Sequence, residues 1–193
     1  MTPEHVILAL WIIWAVSWMT ASGWTKQTVK RAGGPREFAY RAVTFAGYVL
    51  LFGVISTHYD VVYRLWRTPT GNLGWAMAVL VAIGFAFCWW ARIHLGPLWS
   101  SSVTHKNNHR VIDTGPYALV RHPIYTGILL SAFATAIFVG TPSSFLGATI
   151  LTLGWYIKAR LEERFLSEEL GPDAYDAYAK RVPMLVPFLH WPS

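Results

Sequence analysis

Two short stretches, Arg121-His122-Pro123 and Glu162-Glu163, gather the groups in this sequence best able to do chemistry. Polar and titratable residues concentrate between Leu95 and His122, and again between Lys158 and Glu169, each beside an apolar run. Gly115-Pro116-Tyr117 gives a turn. Pro123 suits the first turn of a helix, where its missing N–H costs nothing. Arg121 and His122 then stand at a positive helix N-terminus, which favours an anionic ligand. An interfacial arginine beside a capping turn is the plainer alternative. Glu162 and Glu163 follow the last apolar run within two turns, and acids so near a membrane segment often mark function. A solvated helix face, with both acids paired to Lys158, Arg160 or Arg164, explains them equally well. His105 and His109 stand four apart, but Asn107 and Asn108 lie between them and no third ligand is apparent, so no metal site is expected. There is no Ser/His/Asp arrangement and no G-x-G-x-x-G, which excludes the soluble nucleotide-binding fold.

Elements must hold these groups in place. A hydrocarbon core about 30 Å thick needs roughly 20 mostly apolar helical residues. Candidate spans are His5 to Ser22, Phe38 to Thr57 and Leu73 to Arg92, followed by two shorter runs, Ile124 to Val139 and Phe145 to Ile157. Thr141-Pro142-Ser143-Ser144 between the last two reads as a tight turn. The expectation is an all-α integral membrane fold of about five transmembrane helices, the last two forming a helical hairpin whose second arm continues into the cytoplasm as an amphipathic helix. It is one domain, 1–193, with three helices in 1–94 and the polar loop, hairpin and tail in 95–193. Trp11, Trp14 and Trp18 form one helix face, for packing or lipid contact. The 28 residues from Leu95 to His122 are long for a connector, and such loops are usually functional or disordered. Trp99, Tyr117 and Tyr125 argue against disorder.

Composition supports the membrane reading. Only 13% of residues are charged and 54% are hydrophobic, whereas charged residues make up about a quarter of a soluble domain. The eleven Trp and nine Tyr suit membrane–water boundaries. A net charge of +6 would suggest nucleic acid in a soluble protein, but here the basic residues lie between apolar runs, where they set orientation and touch anionic lipid. Nucleic acid is therefore not an expected partner. Lys26, Lys30, Arg31 and Arg36, then Lys106, Arg110 and Arg121, then the basic tail after Ile157 share one side of a five-helix chain. Positive-inside logic makes that side cytoplasmic, with the N-terminus outside, in a bacterial-type inner membrane. Arg64 and Arg67 dissent on the outer face and are outvoted. The lone Cys88 lies in an apolar run, so an intrachain disulfide is impossible. The N-terminus lacks a basic n-region and an A-x-A site, so the first apolar run is expected to be retained. Composition and spacing end at a membrane protein with a polar cytoplasmic site.

The segment from Gly96 to Pro187 resembles the integral membrane methyltransferases that include isoprenylcysteine carboxyl methyltransferases and phospholipid N-methyltransferases. The residues that carry the resemblance are Leu95-Gly96-Pro97-Leu98-Trp99-Ser100, His109 to Tyr117, Arg121-His122-Pro123-Ile124-Tyr125-Thr126-Gly127, Glu162-Glu163, Leu170-Gly171, Tyr175, Tyr178 and Arg181-Val182-Pro183. The resemblance implies S-adenosylmethionine as cofactor, in a cytoplasmic pocket closed by the loop and the last helix. Carried over, His109, Val111 and Ile112 supply backbone and apolar contacts, Tyr117, His122, Pro123 and Tyr125 line the pocket, and Glu162 meets the positive end of the methionyl group. Arg121, Lys158 and Arg160 are the basic candidates for the reacting end. Where the carboxyl methyltransferases carry an Arg four residues before the paired glutamates, this chain has Lys158, with Arg160 as a possible substitute. A lysine cannot give the same bidentate fork, so the acceptor stays open among carboxylate, amine and thiol on a lipophilic substrate. A transporter using the polar loop as a gate, or a non-catalytic binding protein that keeps the pocket, are the readings from other classes.

Overall fold

Prolines open five of the six helices in the computed structural model, which describes residues 1–21, 30–31, 34–53, 64–69, 71–96, 104–105, 112–170 and 172–189. The helices are α1 (Pro3–Thr20), α2 (Pro35–Leu51), α3 (Asn72–Leu95), α4 (Pro123–Val139), α5 (Pro142–Leu170) and α6 (Pro172–Arg181). Proline is at home there because its fixed φ suits a helix and the first N–H groups have no partner anyway. A short 3-10 turn, Gly115–Ala118, precedes α4, and Lys30–Arg31 pairs antiparallel with Thr104–His105.

The chain is helical throughout its described core, as expected, while only part of the expected set of five spans meets the length and composition of a membrane crossing among the described residues. By length and composition two helices could cross a membrane, α1 and α3. The other three expected runs are helices with different bounds. α4 is apolar but has only 17 residues. α2 places Arg36, Glu37 and Arg41 in its first two turns, and α5 is one 29-residue helix whose second half is polar. The hairpin turn is found where expected: α4 stops at Val139, Gly140 adopts a left-handed φ of 70°, and α5 starts at Pro142.

Two seams hold the bundle, and glycine makes both. Along α3 and α4, the chains pass so closely that a Cβ on Gly127 would lie 2.6 Å from the Cys88 sulfur, and a Cβ on Gly84 would strike Ser131 and the Gly127 carbonyl. Along α2 and α5, a Cβ on Gly47 would lie 2.7 Å from Leu151, and one on Gly154 would lie 2.6 Å from Thr44. Paired positions fall as one number rises, so α2 and α5 are antiparallel, and Tyr40 comes level with Lys158. Small residues let backbones approach where lipid gives no hydrophobic drive for association. α1 joins through Trp11, which is 6% exposed and donates its indole N–H to the Thr135 hydroxyl at 3.0 Å. The Trp11, Trp14 and Trp18 stripe is thus packing, with Trp14 stacked on Phe85. Elsewhere α1 shows Leu8, Ile12, Ile13 and Val16 outward, and α3 shows Val79, Ile83 and Trp90. Such a broad apolar surface suits lipid rather than water.

Contacts place Ala21, Arg92, Ile124, Tyr125 and Lys158 toward one end of the bundle. Trp66 and Gly140 meet at the other, through the Leu65 N–H to the Gly140 carbonyl at 2.8 Å. Arg121, His122, Lys158, Glu162 and Glu163, singled out in the sequence, therefore gather at a single end.

Candidate functional site

Three helices and one returning tail build the polar cluster. Tyr125 follows His122 by three residues, so both side chains leave the same face of the first turn of α4. Trp155, Lys158 and Glu162 repeat at helical spacing along one face of α5, and α2 adds Tyr40 through the glycine seam. The tail after α6 runs back along α4: Pro183 and Met184 carbonyls accept from the Arg121 and His122 N–H groups at 2.8 and 3.1 Å, and Leu185 accepts from the Thr126 hydroxyl at 2.6 Å. These bonds pin the returning tail to the start of α4 and satisfy the N–H of its N-cap, His122.

Glu163 is the pivot. Its Oε1 accepts from Arg121 Nε at 2.7 Å and stands 3.1 Å from His122 Nε2, while Arg160 lies 3.7 Å from its other oxygen. Arg121 also donates to the Ala179 and Val182 carbonyls at 2.6 and 2.8 Å, which fixes the end of α6 against the start of α4. Burial would push the Glu163 carboxyl up, but hydrogen bonds and charge from His122 and Arg121 outweigh it and hold the group below the usual carboxylate value. The anion that Arg121 and His122 attract in the folded chain is thus an internal glutamate. The solvated-face reading of Glu163 is wrong, since its side chain is 9% exposed.

Glu162 faces a different neighbourhood. Its Oε2 accepts from the Tyr125 hydroxyl at 2.6 Å, with His122 Nδ1 at 3.6 Å, and its Oε1 lies 3.6 Å from the Lys158 ammonium. At 19% exposure it is more open than Glu163. Lys158 is 6% exposed and sits in an aromatic box, its nitrogen 5.2 Å from the Tyr125 centroid, 5.3 Å from Trp155 and 5.8 Å from Tyr40. The rings of His122, Tyr125 and Trp155 stack in series, at 5.2 and 4.6 Å. Burial lowers the Lys158 ammonium below the ordinary lysine value, and the Glu162 carboxylate and the surrounding rings only partly offset it.

Of the residues expected to form the site, Tyr125, His122, Glu162 and Lys158 come together. Pro123 is fully buried as the first residue of α4. Arg160 points away from Lys158, with 44% of its side chain exposed. Tyr117 stacks on His94 at 6.3 Å, and its carbonyl accepts from the Tyr178 hydroxyl at 2.7 Å, while Ile112 packs against the core. Burial pushes the Tyr178 phenol up, so it remains a donor. His109 and Val111 lie outside the described residues, as do the Lys26 end of the first basic loop and Trp99. No three metal-ligating side chains cluster among the described residues.

Sequence reasoning missed Tyr40 and Trp155, which belong to no motif, and gave Arg92 no role beyond ending a span. Arg92 is fully buried and donates to the Ala21 carbonyl at 2.7 Å and the Gly96 carbonyl at 3.1 Å, tying the ends of α1 and α3 together. Its position on the same helix face as Cys88 was the available signal.

The chemistry of the cluster can be compared with a zwitterionic, aromatic cofactor. Glu162 retains acceptor sites beyond those its neighbours use, as a carboxylate has about four. The Tyr40 hydroxyl and the Trp155 indole N–H are buried beside Lys158 and make no well-formed hydrogen bond among the described residues, although Arg41 lies near the first and the Tyr48 hydroxyl near the second. Buried polar groups are rarely left so. An acceptor, two such donors and stacked rings fit a molecule that carries an ammonium, a carboxylate and an adenine.

A helical chain with membrane-associated helices and this polar cluster at one end defines a class, and comparison shows which family it is similar to. Residues 76–168 match the family described as isoprenylcysteine carboxyl methyltransferase (ICMT), so the resemblance read from the sequence is to a methyltransferase family. A probable protein-S-isoprenylcysteine O-methyltransferase of Oryza sativa subsp. indica is 28% identical over 141 residues, 72% of this chain and 68% of that protein. The protein-S-isoprenylcysteine O-methyltransferase of Schizosaccharomyces pombe is 32% identical over 102 residues, 51% of this chain and 43% of that one. A methanethiol S-methyltransferase of a Pseudomonas species is 42% identical over 71 residues, which cover 37% of this chain and 26% of that one. Among solved structures, the eukaryotic intramembrane Ras methyltransferase ICMT aligns over 80% of this chain and 54% of its own, with 22% identity and a TM-score of 0.49.

Proposed function

We propose that this chain transfers a methyl group from S-adenosylmethionine to a lipophilic nucleophile at the cytoplasmic edge of a membrane, with its N-terminus outside and its C-terminus inside. The carrying observation is the partly exposed Glu162, held by Tyr125 beside the buried Lys158, in a chain whose residues 76–168 match a methyltransferase family. In this reading Glu162 accepts the methionyl ammonium, the Tyr40 hydroxyl and Trp155 indole serve the carboxylate, and the stacked aromatic series lines the slot. His122 keeps Glu162 and Glu163 apart by standing between them, and Arg121 clamps the tail over the site. His109, Val111, Ile112, Tyr117 and Pro123 complete the walls as the resemblance implies. The cofactor supplies an already activated methyl group on a sulfonium, so the protein has to place the nucleophile in line and exclude water.

Lys158 bears on the acceptor. Relatives are named for isoprenylcysteine and for methanethiol, and so bracket a carboxylate and a thiol. A guanidinium aims a carboxylate with two parallel hydrogen bonds, whereas an ammonium is a rotatable point charge. Lys158 is also engaged with three rings and Glu162, and Arg160 faces elsewhere. The favoured acceptor is therefore a thiol or amine whose single reactive atom is steered by apolar walls. The test is a side-by-side turnover comparison of a prenylcysteine analogue, a lipid amine and a hydrophobic thiol with labelled cofactor. The thiol or amine should be fastest, since misplacement by about 1 Å can cost on the order of a hundredfold. A clear win for the prenylcysteine analogue, abolished in Arg160→Ala, contradicts this choice of acceptor.

A further inference from the structure

On the opposite side of α5 from Lys158, three arginines line one groove, and among the described residues only Glu163 pairs with any of them. Arg36 in the first turn of α2 and Arg160 and Arg164 on α5 line a groove of about 340 Å³, with Tyr156, Ile157 and Leu161 as its apolar side. The antiparallel seam brings them together: α2 begins at the level where α5 turns polar. Arg36 and Arg164 make no ion pair among the described residues, and Arg160 makes only the 3.7 Å contact with Glu163, a carboxylate already held at 2.7 Å by Arg121. Glu37, the acid next to Arg36, pairs at 2.7 Å with Arg41 instead. Three guanidinium groups lining one groove repel one another, and an anion relieves that repulsion.

We propose that this groove binds the phosphate headgroup of an anionic membrane lipid. Depth and chemistry favour lipid over a soluble anion or an acidic protein. The apolar run of α5 ends at Ile157, and at 1.5 Å per residue the arginine heads fall within about 10 Å beyond it, at headgroup level. Tyr156, 44% exposed, lies on the membrane side of the groove where amphipathic rings collect. Ile157 and Leu161 offer apolar surface to the upper part of an acyl chain, which an inorganic ion does not need. Guanidinium is the side chain best matched to phosphate, through two parallel N–H bonds. The groove lies across the body of α5 from Lys158 and meets the polar cluster through the 3.7 Å contact between Arg160 and Glu163.

The experiment uses the full chain in a neutral detergent at low salt, titrated with dihexanoyl phosphatidylglycerol, dihexanoyl phosphatidylcholine and sodium phosphate, with binding read by native mass spectrometry. Phosphatidylglycerol should bind saturably and at least tenfold more tightly than phosphatidylcholine, and raised salt should weaken it. The double variant R36Q/R164Q should lose about thirtyfold, at roughly a factor of five per arginine near an anionic lipid. R36K/R164K, which keeps both charges, should lose only a few-fold. Melting without lipid shows whether the double variant is folded, and if it is not, each single Gln variant carries the test with a loss of about fivefold. Equal binding of the two lipids, or unchanged phosphatidylglycerol binding in the folded Gln variants, overturns the proposal. Competition by sodium phosphate at the same concentration as the lipid also overturns it, as would binding to an acidic protein surface with no lipid selectivity.

Discussion

The glycine seams and the Glu163 clasp hold this chain together by opposite means. Along Gly84 and Gly127, and along Gly47, Gly147 and Gly154, backbones touch because nothing projects between them, and no charge is involved. At the clasp, a buried carboxylate gathers Arg121 and His122, and the arginine in turn grips two carbonyls of the returning chain. Shape holds the helices in register and charge closes the polar end. The two regions should therefore answer to different perturbations: the seams to volume, the clasp to pH and to loss of a single charge.

The largest effect is expected at the clasp. Glu163→Ala leaves Arg121 and His122 without their shared anion in a buried place and should cost about 3–5 kcal/mol of stability, seen as a fall in melting temperature in detergent. Next comes the seam. Gly127→Val forces a side chain against Cys88 and the α3 backbone and should cost about 3 kcal/mol, with no dependence on pH. A pH series sharpens the contrast. The Glu163 pKa is lower folded than unfolded, so its stabilisation is fully present above about pH 4.5, the ordinary value, and is lost as pH falls through the depressed folded value. Wild type should lose stability over that acid range, and Glu163→Gln should lose much less of it. A wild type and Gln variant with parallel pH profiles would break the comparison. The smallest effect is expected at the surface: Arg41→Ala removes the exposed pair with Glu37 and should change stability by less than about 0.5 kcal/mol.

What was legible in the sequence was local. The turn at Gly115-Pro116-Tyr117, the helix start at Pro123 and the hairpin at Thr141-Pro142 each depend on a few neighbouring residues with strong backbone preferences, and each is found in the structure. The number of spans was not legible, because an apolar run reports burial against protein and against lipid alike, as in α4, where Ile124, Ile128 and Ala132 are buried among other helices. Nor was the difference between Glu162 and Glu163. Adjacent on one helix, they point about 100° apart, and which one is buried depends on Arg121, 42 positions away. Tyr40 enters the aromatic box only because glycine lets α2 approach α5, a contact that no motif records. The resemblance supplied Glu162, while the structure supplied its surroundings.

The central claim is that Glu162 and its neighbours hold a methyl donor. Isothermal titration of the folded, detergent-purified full chain with S-adenosylmethionine tests it most directly, run in parallel on Glu162→Gln. The account predicts saturable binding to the wild type, weakened by about 1–3 kcal/mol in Glu162→Gln, the usual value of a charge-assisted hydrogen bond. Absence of binding to the wild type, or equal affinity in the two folded proteins, would contradict it.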